Sequence, residues 1–166
     1  MIIRPEQSGD ENAIHNLTLQ AFEPMPFSNG SEAPIVDQLR EGGDLVVSLV
    51  AVQDNEIIGH ITFSPVTING VNGGWYGLGP VSVRPQFQKQ GVGGQLIKEG
   101  LSKIKYIGAT GCALIGNPSY YERFGFQSDG NLKYAEVPLP IVQWLSFGEE
   151  KANGILKFAS AFEQDW

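Results

Sequence analysis

The chain is poor in cysteine, in basic residues and in long apolar runs, and each shortage excludes something. A single cysteine, Cys112, cannot form an intramolecular disulfide, which fits a reducing compartment. Its small, apolar setting "GATGCALIG" reads as a buried packing position rather than a nucleophile. No stretch approaches the roughly 20 apolar residues of a membrane span, and "MIIRPEQSGDENA" lacks the basic start and apolar centre of a signal peptide. The expectation is a soluble, cytoplasmic chain with no membrane partner. Only 11 Lys and Arg face 18 Asp and Glu, a net charge of −7, and none of the basic residues cluster. That argues against nucleic acid, whose phosphate backbone requires grouped cations. With no internal repeat, no low-complexity tract and no linker, residues 1–166 read as one domain, and its 42% hydrophobic residues suffice for a core.

Against these shortages stand 21 glycines, unevenly spread. Residues 1 to 4 predict a short strand. In "SGDE", Ser8 and Glu11 have capping-box spacing, and Ile14, Leu17 and Ala21 recur as on a helix ending near Phe22. "EPMPFSNG" then breaks the pattern with prolines and glycine, forming a rim before a second helix through Ile35, Val36 and Leu39. "LVVSLVAV", the turn "QDNE" and "IIGHITFSPVTI" read as an antiparallel hairpin. "WYGLGPVSV" is a third strand whose ladder should break near Gly79 and Pro80. Val92, Leu96, Ile97, Leu101 and Ile104 then give one helical face, followed by a buried strand "GCALIG", the stretch "NPSYYERFGF" and a late strand at "IVQWLSF". The fold class expected is α/β, a mixed sheet with helices on both faces.

Gly91, Gly93 and Gly94 crowd the start of that middle helix, where each costs about 1 kcal/mol against alanine. Free N–H groups and the positive end of the macrodipole at a helix start favour an anion, so a phosphate approaching the backbone would explain them. The P-loop is excluded because Gln95 and Leu96 stand where Lys and Ser or Thr are required. The dinucleotide fingerprint is excluded because Leu96 replaces its third glycine. Close helix–strand packing is the competing structural explanation.

What remains is Gln88-x-x-Gly91-x-Gly93 directly after "LGPVSV". It is similar to the acyl-CoA pyrophosphate motif of the GNAT superfamily of N-acetyltransferases, and "YYERFGF" resembles that superfamily's later aromatic signature. With "GHITFSPV", the likeness runs from about Met1 to Phe126 and looks like a bacterial subgroup described as N-acetyltransferases. It implies a mostly antiparallel sheet with one splayed strand pair that holds acetyl-CoA, with no metal. It further implies that backbone amides of Gln88, Lys89, Gln90, Gly91, Val92, Gly93 and Gly94 hold the pyrophosphate. Val81, Ser82 and Val83 would supply the strand that main-chain-bonds the pantetheine arm.

Transfer of an acetyl group from a thioester to an amine needs a deprotonated nucleophile, since alkyl amines have a pKa of about 10. It also needs an oxyanion donor and an acid for the thiolate. The resemblance gives the acid role to Tyr121, with Tyr120 its neighbour in the motif. Asn117 either bonds pantetheine or caps the next helix. The oxyanion falls to a backbone N–H near Val81. Many relatives carry a glutamate on the strand before the loop; "YGLGPVSV" contains no acid. His60, through a water, is the candidate base, with a structural histidine as the alternative. Glu23 and Glu32 on the rim are the other candidates, for holding a cationic acceptor, with plain surface charges as the alternative. The partners expected are a small-molecule or peptide amine and, from the superfamily's habit, a second copy of the chain as a homodimer. A non-catalytic acyl-CoA sensor on the same fold is the rival reading.

Overall fold

The computed structural model describes residues 1–163. In chain order its elements are β1 (Ile2–Pro5), α1 (Glu11–Phe22), α2 (Glu32–Glu41), β2 (Val47–Gln53), β3 (Glu56–Pro65), β4 (Thr67–Ile68) and β5 (Trp75–Val83). They continue with α3 (Val92–Tyr106), β6 (Gly111–Ile115), α4 (Pro118–Tyr121), β7 (Leu132–Lys133), β8 (Val142–Ser146) and β9 (Gly154–Lys157). Six strands form one sheet in the order β1-β2-β3-β5-β6-β8, and β4-β9-β7 form a smaller one. Every neighbour pair in the large sheet is antiparallel except β5 with β6. That parallel pair needs a crossover, which α3 supplies.

β3 is buried from Ile57 to Ser64 because both of its faces are covered: His60, Thr62 and Ser64 alternate with Ile61 and Phe63 yet are as deeply buried. On one face Ile58, Ile61 and Phe63 pack with Leu96, Ile97, Leu101 and Ile104 of α3. On the other, Val50 and Ile57 pack with Ile14, Leu17 and Val36 of α1 and α2. Burial of each such side chain contributes about 1.5–3 kcal/mol. α3 lies close to the sheet because Gly100 faces Phe63, whose ring occupies the space a Cβ would need.

Two local expectations are corrected. α1 begins at Glu11 with Asp10 as its flanking residue, and no capping box forms at Ser8. Asp10 instead accepts from Arg4 Nη1 at 2.7 Å and from the Gln7 amide at 2.8 Å, so the turn is fixed by an ion pair. The strand expected through Ile68 ends at Pro65, because Thr67 and Ile68 pair with Lys157 and Leu156 of β9. The helix after Asn117 is a single turn, Pro118–Tyr121, that carries Tyr121.

Candidate active site

β5 and β6 diverge. Their pairing covers only Trp75–Gly77 against Gly111–Ala113, so Leu78–Val83 has no β6 neighbour. On its other side β5 pairs with β3, but Gly79 and Pro80 together stand opposite Thr62 between the pairs Ile61↔Val81 and Phe63↔Leu78. Thr62 Oγ1 donates to the Pro80 carbonyl across this bulge at 3.2 Å. The Arg84 amide donates to the Ile58 carbonyl at 2.9 Å, and main-chain groups alternate along a strand. Ser82 therefore bonds toward β3, while Val81 and Val83 aim their N–H and C=O groups into the gap. Consistent with this, the Val83 carbonyl accepts from Gln88 Nε2 at 3.0 Å. The Ser82 side chain points to the α1 face, where its hydroxyl lies 3.3 Å from Thr18 Oγ1.

Beyond β5 the chain turns through Lys89, at φ +62°, and Gly91, at φ +87°, into α3. A side chain at Gly91 would be strained by that φ. The amides of Lys89 to Gly94 donate to no protein acceptor among the described residues, and the Gln95 amide to the Gly91 carbonyl at 3.1 Å closes the first turn. Consecutive free N–H groups at a helix start form an anion-binding concavity. The packing explanation for these glycines fails on the space around them. A Cβ at Gly91 would meet nothing within 4 Å; at Gly93 the nearest atom is the Tyr120 hydroxyl at 3.6 Å, and at Gly94 it is Phe124 at 3.8 Å. The room sits inside a cleft of about 680 Å³ lined by the loop and by Phe87, Lys98, Tyr120, Arg123 and Phe124. The donor set and the open backbone fit a diphosphate. Lys98 and Arg123 were not singled out in the sequence, although Lys98 lies one turn past Gly94 and so shares its helix face.

Tyr121 packs edge-on to Tyr120, with centroids 5.0 Å apart, and to Phe126, at 5.9 Å. Both it and Tyr120 lie against the α3-side core. Burial, with smaller contributions from Tyr120 and Cys112, pushes its phenol up to about 12, so Tyr121 holds its proton throughout the neutral range. Its hydroxyl has no hydrogen-bond partner among the described residues. The Asn117 side chain accepts from the Ser119 amide at 3.0 Å, capping α4; of its two possible duties, this is the one its side chain performs here.

His60 lies on the opposite, α1-covered face, paired across the strands with Ser82, and has no exposed surface. Its Nε2 is 2.7 Å from Ser48 Oγ, and the Ser48 hydroxyl donates to Glu6 Oε1 at 2.8 Å. Ser48 Oγ then accepts from Nε2–H, which leaves the lone pair on Nδ1, an atom with no partner. Burial drives the imidazole down to about 4, with Glu6 partly opposing it. At neutral pH the ring is uncharged, and its 4.0 Å approach to Glu6 is no ion pair. Glu6 is bound instead by Arg40, through Nε at 2.9 Å and Nη2 at 2.8 Å. The structure thus places His60 and Tyr121 on different faces of the sheet.

A second cleft, about 430 Å³, opens between α1 and α2 and is lined by Thr18, Leu19, Phe22, Glu23, Ser28, Asn29 and Glu32. Its floor, Thr18, meets Ser82 of β5. Glu32 accepts from the Ser28 hydroxyl at 2.5 Å, while Glu23 makes no ion pair among the described residues. No group of three or more metal-ligating side chains occurs among the described residues, and no described helix is long and apolar enough to cross a membrane.

Residues 45–128 match the family model of the acetyltransferase (GNAT) domain. The chain is 37% identical over 128 residues to the uncharacterized N-acetyltransferase YhbS of Escherichia coli K12, covering 76% of this chain and 74% of that protein. It is 31% identical to YjhQ of the same organism over 127 residues, 74% and 70% of the two chains. Among solved structures it resembles a GNAT family acetyltransferase from Brucella melitensis in complex with acetyl-CoA, at TM-score 0.88 and 44% identity over 97% of both chains. It also resembles Escherichia coli YhbS in complex with CoA, at TM-score 0.89 and 29% identity over 98% of this chain and 92% of that one. The diverging strands, the open glycine turn and these similarities converge: the chain belongs to the GNAT acetyltransferase family.

Proposed function

We propose that the chain, acting as a single domain, transfers the acetyl group of acetyl-CoA directly to a primary amine. The observation that carries this reading is the run of free amides from Lys89 to Gly94, continuous with the unpaired strand edge at Val81 and Val83. Bound acetyl-CoA supplies an acyl group activated as a thioester, which the amine attacks as the thiolate leaves. The loop amides and Gly93 take the diphosphate, and the outward groups of Val81 and Val83 bond the pantetheine amides. The Val81 N–H, next to the bulge, donates to the developing oxyanion. Tyr121 keeps its proton and donates to the departing sulfur.

The acceptor amine enters by the α1–α2 cleft, on the opposite side of β5 from the core that holds Tyr121. Glu23 and Glu32 give that cleft a negative wall suited to a cationic amine. His60 lies beside Ser82 with no exposed atom and stays uncharged at neutral pH, so its role is structural; the amine gives up its proton to solvent water and attacks in its neutral form.

The test is release of free thiol from acetyl-CoA across a panel of alkyl amines and peptides, with the native chain and with Tyr121→Phe. Turnover in the native chain that falls about 100-fold or more in the variant is expected. Tight binding of acetyl-CoA without turnover on any amine would move the assignment to the acyl-CoA sensor.

A further inference from the structure

The cleft around the glycine turn carries more positive charge than a diphosphate needs. The chain as a whole is acidic, with a net charge of −7, yet Lys89, Lys98 and Arg123 all line this one cavity. None of the three lies within ion-pair distance of a carboxylate among the described residues. Cations left unpaired on an acidic protein are most economically explained by an anion that arrives from outside. The diphosphate already has its donors in the six consecutive amides of the turn, and Lys89 sits within that turn.

Lys98 and Arg123 lie beyond it, on different walls. Lys98 projects from the second turn of α3. Arg123 follows α4, where its Nε donates to the Tyr120 carbonyl at 2.8 Å and its guanidinium sits 4.7 Å from the centre of the Tyr120 ring. The stacking and the hydrogen bond fix the guanidinium plane and leave its Nη groups free to face the cleft. A planar, prearranged guanidinium that shares one cleft with a flexible ammonium suits a phosphate monoester, which offers three oxygens and close to two negative charges at neutral pH.

We propose that Lys98 and Arg123 form a seat for the 3′-phosphate of CoA, and that the protein thereby distinguishes CoA from 3′-dephospho-CoA. This rests on the acyl-CoA reading above and adds to it a recognition element outside the glycine motif. Tyr120, beside Tyr121 in "YYERFGF", acquires a separate duty: it holds Arg123, whereas Tyr121 faces the reaction.

The experiment is titration calorimetry of CoA and of 3′-dephospho-CoA with the native chain, Lys98→Gln, Arg123→Gln and the double variant, at one fixed salt concentration. Both side chains are exposed, so each variant should melt at the native temperature without ligand. The native chain is expected to bind CoA about tenfold or more tightly than 3′-dephospho-CoA, the range of a charge-assisted contact. Each single variant should narrow that ratio, and the double variant should bring it to about one while the affinity for 3′-dephospho-CoA stays within about twofold of native. Equal native affinities, or a ratio that survives in the double variant, overturn the seat. Parallel losses for both ligands also overturn it, because they assign the cations to general attraction. If the native chain binds neither compound, the acyl-CoA reading itself falls, an outcome distinct from loss of discrimination alone.

Discussion

Acidification from pH 7 to pH 5 should weaken the fold through His60, and the size of the effect follows from its burial. The ring is uncharged and sealed between β2, β3 and α1, and burial lowers its pKa to about 4, against 6.5 in the unfolded chain. The groups that face it are Glu6 and Asp10, which favour the charged form, and Arg40, which opposes it. Because the folded value is depressed, the unfolded chain takes up the proton first as pH falls. Stability is complete above about pH 6.5 and declines until about pH 4. One pKa unit corresponds to about 1.4 kcal/mol, so about 2 kcal/mol is lost by pH 5 and about 3 kcal/mol by pH 4. Glu6 and Asp10 have lowered values, so their contribution is lost only at the acid end of the carboxylate range and leaves the window above pH 5 clear. The assay is urea unfolding at pH 7 and pH 5 of the native chain and His60→Gln, whose amide can still donate to Ser48. His15 is common to both proteins and cancels in the difference. The native chain should lose about 2 kcal/mol more than the variant; parallel losses would refute the sealed, neutral imidazole.

Three further outcomes are expected. Gly93→Glu should fold normally, because the site has an ordinary backbone and room for a Cβ, yet lose acetyl-CoA. Ligand at 100 times its dissociation constant should raise the melting temperature of the native chain by about 5–10 °C and leave the variant unmoved. Gly100→Ala should do the reverse, destabilising the chain by about 1–3 kcal/mol in urea because the Phe63 ring fills the space its methyl needs, while the acetyl-CoA affinity of the folded fraction is retained. For any amine turned over in the panel, Glu23→Gln combined with Glu32→Gln should raise KM for cationic acceptors several-fold and leave the KM for acetyl-CoA unchanged; equal KM for the amine would remove the acidic wall from the acceptor reading.

Much of the fold was written in local pattern. The helical period of Val92, Leu96, Ile97, Leu101 and Ile104, the "QDNE" turn and the glycine-proline interruption in "WYGLGPVSV" each depend on neighbours a few residues away, and each appears where the pattern places it. The small sheet was not legible, because Thr67–Ile68 finds Leu156 and Lys157 nearly 90 positions later and nothing in either pair of residues names the other. Nor was the capping of α1: Ser8 and Glu11 satisfy the local rule, but Asp10 is claimed by Arg4 and the Gln7 amide, and the turn follows that stronger, charged contact.

The candidate site divides in the same way. Sequence alone determined the glycine turn, because its conformation and its bareness are properties of the residues themselves: Gly91 tolerates a positive φ, and three absent side chains expose the backbone. Tertiary structure alone decided which strand edge lies open, because that depends on β6 pairing with β5 for three residues and then leaving it. It also decided the state of His60, whose unperturbed pKa suits a base at neutral pH but whose burial beneath α1 does not let it charge. The convergence of Lys98 and Arg123 on one cleft was likewise settled by the fold, since they stand 25 positions apart with a strand between them and charge acts through space rather than along the sequence.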